Sequence, residues 1–135
     1  MNRVTTLSEQ ERNELFTLTA QQRGMGSIAI VEKDFWVCWT LKQLFEHPKL
    51  SKLLIFKGGT SLSKVYGLID RFSEDIDLVL DWREVNEGEN PMAERSKRQQ
   101  NKINETLNDR AITYVEETML PWLKEALCSH CELEI

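Results

Sequence analysis

The sequence predicts an α+β (α/β) fold in which a small mixed sheet is flanked by helices. Two observations predict the strands. The apolar run from Leu53 to Phe56 stops at a pair of glycines, and residues 75–80 place two aspartates at alternate positions among apolar ones. Helices are predicted because apolar residues recur at helical spacing before and after these strands. We expect one domain over residues 1–135, made of N-terminal helices over 6–47, a core over 53–80 and C-terminal helices over 91–127.

The composition is that of an ordinary globular chain, with 41% hydrophobic and 29% charged residues. No apolar run approaches the ~20 residues that span a bilayer, and no signal-peptide core follows Met1, so we expect a cytoplasmic protein without a membrane partner. The net charge of -5 argues against a general nucleic-acid coat, whose binding depends on Lys and Arg. The cysteines do not pair evenly, which predicts free thiols at Cys38, Cys128 and Cys131.

Two helices are predicted before the sheet. The first is capped by Thr6 or Ser8 and ends at Gly24. The second begins somewhere between Ala29 and Glu32 and runs to about Phe45, and His47-Pro48 stops it. The buried stripe expected for the first helix consists of Leu15, Phe16, Leu18 and Thr19.

The strongest chemical signal lies where the first strand ends, at Gly58 and Gly59, which we call the glycine turn. A turn that is followed by a helix lets a phosphate approach the backbone closely. Thr60 and Ser61 offer hydroxyls and backbone N–H groups at the positive end of the helix dipole. Lys64 lies one helical turn beyond Thr60 on the same face, so its ammonium can lean back toward an anion. These residues predict a site for nucleotide phosphates.

Asp75 and Asp77, which we call the acidic pair, predict a metal site. Strand periodicity puts both carboxylates on one face while Ile76 and Leu78 enter the core. Neighbouring carboxylates repel each other, so the arrangement is costly unless a cation neutralises it. Mg2+ (or Mn2+) suits the pair, because these ions take oxygen ligands and Mg2+ is commonly shared between carboxylates and substrate phosphates.

Each feature also has a simpler structural interpretation. The glycine turn can be only a tight connection between strand and helix, and the acidic pair only the solvated face of an edge strand. The two features together with Lys64, and with apolar residues in the alternate positions, favour the functional interpretation.

The block from Gly58 to Leu78 resembles the nucleotidyltransferase-fold toxins of the AbiEii/AbiGii type, the toxin components of bacterial type IV toxin-antitoxin and abortive-infection systems. Two further segments are similar to this family in order and spacing: Glu32-Lys33-Asp34-Phe35-Trp36-Val37 and Arg71-Phe72-Ser73-Glu74-Asp75-Ile76-Asp77-Leu78. The resemblance covers roughly the first two thirds of the chain.

This resemblance implies a nucleotidyltransferase-like fold that binds NTP and transfers a nucleoside monophosphate to an acceptor such as tRNA, with an antitoxin as a possible partner. It implies that the catalytic residues are Asp75, Asp77 and Lys64, with the aspartates on the metal and residues 58–61 around the phosphates. Full family members are longer and carry another carboxylate and a functional lysine on later elements, so the chain is expected to be their N-terminal part. The alternative is a truncated, catalytically inactive remnant that binds nucleotide or antitoxin.

Charged residues beside these motifs have two interpretations each. Glu32-Lys33-Asp34 can form the exposed first turn of the second helix. Because the tripeptide resembles a family signature, Lys33 or Asp34 can instead reach the rim of the nucleotide site or hold the glycine turn. Arg71 can contact a phosphate or a neighbouring acidic residue.

Three further elements are predicted around the core. The helix after the glycine turn is expected to pack through Val65, Leu68 and Ile69. Residues 81–88 read as an exposed loop, and Asn90-Pro91 as the start of a helix.

The C-terminal region combines a basic run with an apolar stripe. The basic run holds Arg95, Lys97, Arg98 and Lys102 without an acidic residue among them. It either contacts a polyanion such as RNA or the triphosphate, or is a solvated helix face. From residue 109 to Leu127, apolar residues at helical spacing predict a core stripe that Pro121 kinks or divides.

Overall fold

The computed structural model describes residues 1–68, 75–86, 88, 90, 93–128 and 131. The predicted α+β class is confirmed, because helices dominate and two short strands pair as an antiparallel sheet within these residues. In chain order the elements are α1 (Asn2–Thr5), α2 (Glu9–Arg23), α3 (Ile28–Glu46), α4 (Leu50–Leu53), β1 (Leu54–Lys57), α5 (Gly58–Lys64), β2 (Asp77–Leu80), a 3-10 turn (Trp82–Glu84), α6 (Lys97–Tyr114), a π-helical segment (Val115–Met119) and α7 (Leu120–Leu127).

α2 begins and ends as its sequence predicts. Ser8 caps it in a reciprocal capping box with Glu11, and Gly24 ends it in the left-handed conformation at φ 63°. The expected stripe is only partly right, because Phe16 is buried but Leu15 and Leu18 are exposed. Ala20 takes the second buried position, one helical turn after Phe16, and both pack against Val31 of α3.

α3 is the central helix, because both apolar clusters include its side chains. Trp39 and Leu44 pack with three buried leucines from other elements. Those leucines are Leu50, Leu54 and Leu127, from α4, β1 and α7. The helix ends at Glu46, directly before His47-Pro48, as the sequence predicts.

His47 is buried and lies just before the short helix α4, which the sequence did not predict. Its Nδ1 accepts hydrogen bonds at 3.3 Å from the backbone N–H groups of Lys49 and Leu50. Its Nε2 lies 3.5 Å from a carboxylate oxygen of Glu125 on α7. The imidazole therefore joins the end of α3 to α4 and α7 as a structural residue.

The sheet has one face toward the core and one toward solvent. Leu54 pairs with Leu80, and Lys57 pairs with Asp77 at the other end of the ladder. Because side chains alternate along a strand, Leu54, Phe56, Leu78 and Leu80 share the more buried face. Ile55, Lys57, Asp77 and Val79 share the exposed face.

α6 begins later than the sequence predicts. Ser96 caps it in a second capping box, with Gln99, and residues 93–96 precede the helix. Pro91 lies outside the described residues. None of the 18 residues of α6 is buried, and Ile112 of the predicted core stripe is half exposed.

Pro121 divides the C-terminal helix, as expected. The five π-helical residues Val115–Met119 come directly before α7, whose first turn contains the proline. Proline lacks an N–H and its ring crowds the carbonyl four residues earlier, so a wider turn relieves the clash. The later part of the predicted stripe packs on α3 through Met119, Trp122 and Leu123.

The segment after β2 is more ordered than the exposed loop that was predicted. Asp81 caps the 3-10 turn by accepting a hydrogen bond from the Arg83 backbone N–H at 3.0 Å. Asn86 is buried, and its side-chain amide has no hydrogen-bond partner among the residues that the structure describes. The loop prediction is therefore wrong for the part that packs on the protein.

Candidate functional site

Gly58 and Asp77 form the contact that joins the two predicted halves of the site. Gly58 is the first residue of α5 and has a φ of 78°, a conformation that favours glycine. A Cβ at this position would lie 2.8 Å from Cγ and 3.0 Å from Cβ of Asp77, and would overlap the carboxylate itself. The Asp77 side chain thus lies directly against the glycine turn.

The sheet register explains why this contact forms. Asp77 is the first residue of β2 and pairs with Lys57, the last residue of β1 and the neighbour of Gly58. Directly opposed residues in an antiparallel ladder have their side chains on the same face. Lys57 therefore brings a cation to the same exposed face as Asp77, a feature that the sequence interpretation missed. The sequence feature that could have identified Lys57 is its position immediately before Gly58.

Thr60 ties α5 to the residue that precedes β2. Its hydroxyl donates a hydrogen bond of 2.5 Å to the backbone carbonyl of Asp75, and the residue is only 1% exposed. Ser61 is also buried, at 4% exposure. The Thr60 hydroxyl is therefore engaged in holding Asp75 beside the start of α5.

Asp75 and Asp77 are exposed, whereas the intervening Ile76 and the following Leu78 are partly buried. This alternation is the strand-like pattern that the sequence predicts, although β2 itself begins at Asp77. Two carboxylates supply the hard oxygen donors that Mg2+ prefers. Within the described residues no group of three or more His, Cys, Asp or Glu could hold a metal ion.

Lys64 forms an ion pair with Asp34 of α3. Asp34 belongs to the Glu32-Lys33-Asp34 tripeptide, and each of the two paired side chains is about one third exposed. This contact places Asp34 beside Lys64, the last residue of α5. Because α3 begins at Ile28, the tripeptide is not the exposed first turn of that helix.

Cys38 lies next to this ion pair. Burial raises the pKa of its thiol, while the nearby Lys64 ammonium acts in the opposite direction. Because burial is the larger effect, the thiol is held in its neutral form near pH 7. The cysteines at 38, 128 and 131 are free thiols, as predicted.

α5 is shorter and less packed than predicted. It starts at Gly58, before Thr60, and ends at Lys64. Val65 and Leu68 are 63% and 70% exposed, so the expectation that they pack the helix is wrong. Ile69, Arg71, Ser73 and Glu74 lie outside the described residues.

The basic run lies at the start of α6. Arg95 donates a hydrogen bond of 2.7 Å to the backbone carbonyl of Asn90. Lys97, Arg98 and Lys102 are exposed on the first two turns. Positive charge at a helix N-terminus is unfavourable for the helix dipole, so this run does not stabilise α6.

Comparison with known families adds one finding. A family model described as nucleotidyl transferase AbiEii toxin, type IV TA system, matches residues 39–121. This match covers more than half of the chain and includes the glycine turn, Lys64 and the acidic pair. No curated protein and no solved structure matches the chain. Among the described helices, none has both the length and the apolar character needed to cross a membrane.

Proposed function

The chain belongs to the AbiEii family of nucleotidyl transferase toxins of type IV toxin-antitoxin systems, and on that basis we propose that its glycine turn and acidic pair bind an NTP with Mg2+. The proposed reaction transfers the nucleoside monophosphate to a hydroxyl group of an acceptor, for which we propose tRNA. The acceptor oxygen forms a bond to the α-phosphorus, and the bond from that phosphorus to the pyrophosphate breaks. The family also implies an antitoxin, so a cognate antitoxin is a proposed partner.

Each residue of the site has a proposed role that follows from its chemistry. Asp75 and Asp77 would hold the metal ion, which supplies positive charge where the leaving pyrophosphate develops negative charge. Gly58 and Gly59 admit the phosphates to the backbone, where the first N–H groups of α5 have no partner within the helix. Thr60 and Ser61 are proposed to contribute their backbone N–H groups, because both side chains are buried. Lys64 would offset phosphate charge.

The observation that carries this proposal is the contact between the glycine turn and the acidic pair. The position of Gly58 leaves no room for a side chain because the Asp77 carboxylate occupies that space. The sheet register brings the two motifs together, because Asp77 pairs with Lys57, the neighbour of Gly58. Their contact supports one volume in which a cation and phosphates bind together.

The proposal is tested by incubating the purified protein with each labelled NTP, Mg2+ and total tRNA. We expect label to enter the RNA, and we expect Asp75→Ala to abolish incorporation. Asp109→Ala is the matched control, because Asp109 is an exposed aspartate on α6 and lies outside the site. Incorporation by Asp75→Ala at the wild-type rate would contradict the assignment.

A second candidate function is nucleotide or antitoxin binding without transfer. It is favoured by the donor set, since the described residues place no third metal-ligating side chain with the acidic pair. The same experiment separates the two functions. Binding of Mg-NTP without incorporation into any RNA would support the binding module and contradict the transferase.

A further inference from the structure

Lys64 is held by α3 in the free protein. Its ammonium donates to Oδ1 of Asp34, which lies 30 positions earlier in the chain. The two side chains are 30% and 32% exposed, so the pair is partly shielded from water. Partial shielding strengthens an ion pair relative to one at the surface.

Cys38 lies on the same helix as Asp34. It lies four residues after Asp34, so both side chains project from one face of α3. The Lys64 ammonium lowers the pKa of the thiol, against the larger effect of burial, which raises it. An ammonium has three N–H donors, so a lysine that donates to Asp34 keeps N–H groups for another acceptor.

We propose that Asp34 is a positioning residue that holds Lys64 ready to bind a phosphate at the glycine turn. Side chains on a helix point toward its N-terminus, which for α5 is the glycine turn. A lysine that is ordered before the ligand arrives loses little rotamer freedom on binding. The entropy cost that is avoided corresponds to an affinity about tenfold higher. This inference rests on the proposed function.

The test is a double-mutant cycle with inorganic triphosphate and Mg2+, measured by titration calorimetry. We expect Asp34→Ala and Lys64→Ala each to weaken binding about tenfold, and the double variant to bind as weakly as Lys64→Ala alone. Glu46→Ala is the control, because Glu46 is an exposed acidic residue of α3 that pairs with Lys42 instead. This control is expected to bind within twofold of wild type.

Two outcomes would overturn the inference. If Asp34→Ala binds triphosphate as well as wild type or better, Asp34 does not position Lys64 and instead competes for it. If the losses of the two single variants multiply in the double variant, Asp34 acts independently of Lys64.

A second measurement separates this inference from the proposed function. In the free protein with 15N-labelled lysine, we expect a slowly exchanging Lys64 ammonium signal that Asp34→Ala abolishes and Glu46→Ala preserves. If wild type shows this signal but binds no triphosphate, the proposed function fails while the hold of Asp34 on Lys64 is supported. A signal that is unchanged in Asp34→Ala overturns the inference whatever the protein binds.

Discussion

Gly58 combines two constraints at one residue, a left-handed backbone and a side-chain volume filled by Asp77. We predict that Gly58→Ala destabilises the protein by more than the backbone conformation alone explains. Gly67→Ala supplies that reference, because Gly67 has a φ of 60° and none of the described residues places an atom within 4 Å of the added Cβ. We expect Gly67→Ala to lower the unfolding free energy by about 1–2 kcal/mol, because alanine disfavours the left-handed backbone. Gly58→Ala is expected to lower it by about 1–3 kcal/mol more, because the added Cβ overlaps the Asp77 side chain.

Chemical denaturation of both variants checks this prediction. Equal losses in unfolding free energy at the two glycines would show that Asp77 moves aside freely. The close contact between the glycine turn and the acidic pair would then impose no constraint on the site.

Thr60 is the second residue whose chemistry is fixed by its surroundings. Thr60→Val keeps the shape but removes the hydroxyl, leaving the Asp75 carbonyl without its 2.5 Å donor. We predict a loss of about 1–3 kcal/mol in unfolding free energy from that unsatisfied group. Thr113→Val is the matched control, because the Thr113 hydroxyl donates to the Asp109 carbonyl on an exposed helix face.

The control variant is expected to stay within about 0.5 kcal/mol of wild type, since surface changes rarely cost more. The difference between the two threonines measures what burial adds to the same type of hydrogen bond. A loss at Thr60 no larger than at Thr113 would mean that this hydrogen bond does not hold Asp75 in place.

The two residue-level constraints could be predicted only in part from the sequence. Paired glycines and an Asp-x-Asp pattern are local signals, and both led to the correct neighbourhood. The sequence predicts that the Thr60 hydroxyl faces a phosphate, whereas it donates to the Asp75 carbonyl. The local pattern does not show this acceptor, because it lies 15 positions later in the chain. Likewise nothing in the local pattern identifies Asp34 as the partner of Lys64, which lies 30 positions later.

At the scale of elements, the two capping boxes offer a comparison of the same serine cap on different helices. Ser8 caps α2, which buries Phe16 and Ala20 against α3, whereas Ser96 caps α6, which buries none of its residues. Loss of a serine cap costs about 1 kcal/mol in helix stability. We predict that Ser8→Ala lowers the global unfolding free energy by about this amount.

Ser96→Ala is expected to leave global unfolding nearly unchanged and to increase amide hydrogen exchange in the first turns of α6. The reason is that a helix without buried residues can open while the rest of the molecule stays folded. Equal global losses for the two variants would show that α6 unfolds together with the core.

Element boundaries were predictable wherever a local signal exists. Gly24, His47-Pro48 and Pro121 each stop or divide a helix as expected, because their backbone chemistry is independent of tertiary contacts. α4 is not predicted from the sequence, because no local pattern signals that the His47 imidazole accepts hydrogen bonds from the backbone N–H groups at its start. The start of α6 was placed too early because Asn90-Pro91 resembles a helix cap, yet the capping box at Ser96 begins the helix.

At the scale of the whole molecule, the fold places the candidate site on the solvent face of a two-stranded sheet. The buried leucines of α4, β1 and α7 pack beneath the other face together with Trp39 of α3. The α+β class and the core strands are predictable from the sequence, because burial of one sheet face imposes an alternation of apolar and polar residues along a strand. The pairing of Lys57 with Asp77 is not predictable in this way, because that alternation does not say which residue of β1 lies opposite which residue of β2.

The account depends on the glycine turn and the acidic pair acting as one binding site for Mg-NTP, and calorimetric titration of each NTP with and without Mg2+ tests this most directly. We predict that wild type binds NTP only when Mg2+ is present and that Asp77→Asn, which keeps the side-chain shape, abolishes this binding. Asp109→Asn on α6 should bind as wild type does. Unchanged Mg2+-dependent binding by Asp77→Asn would contradict the account.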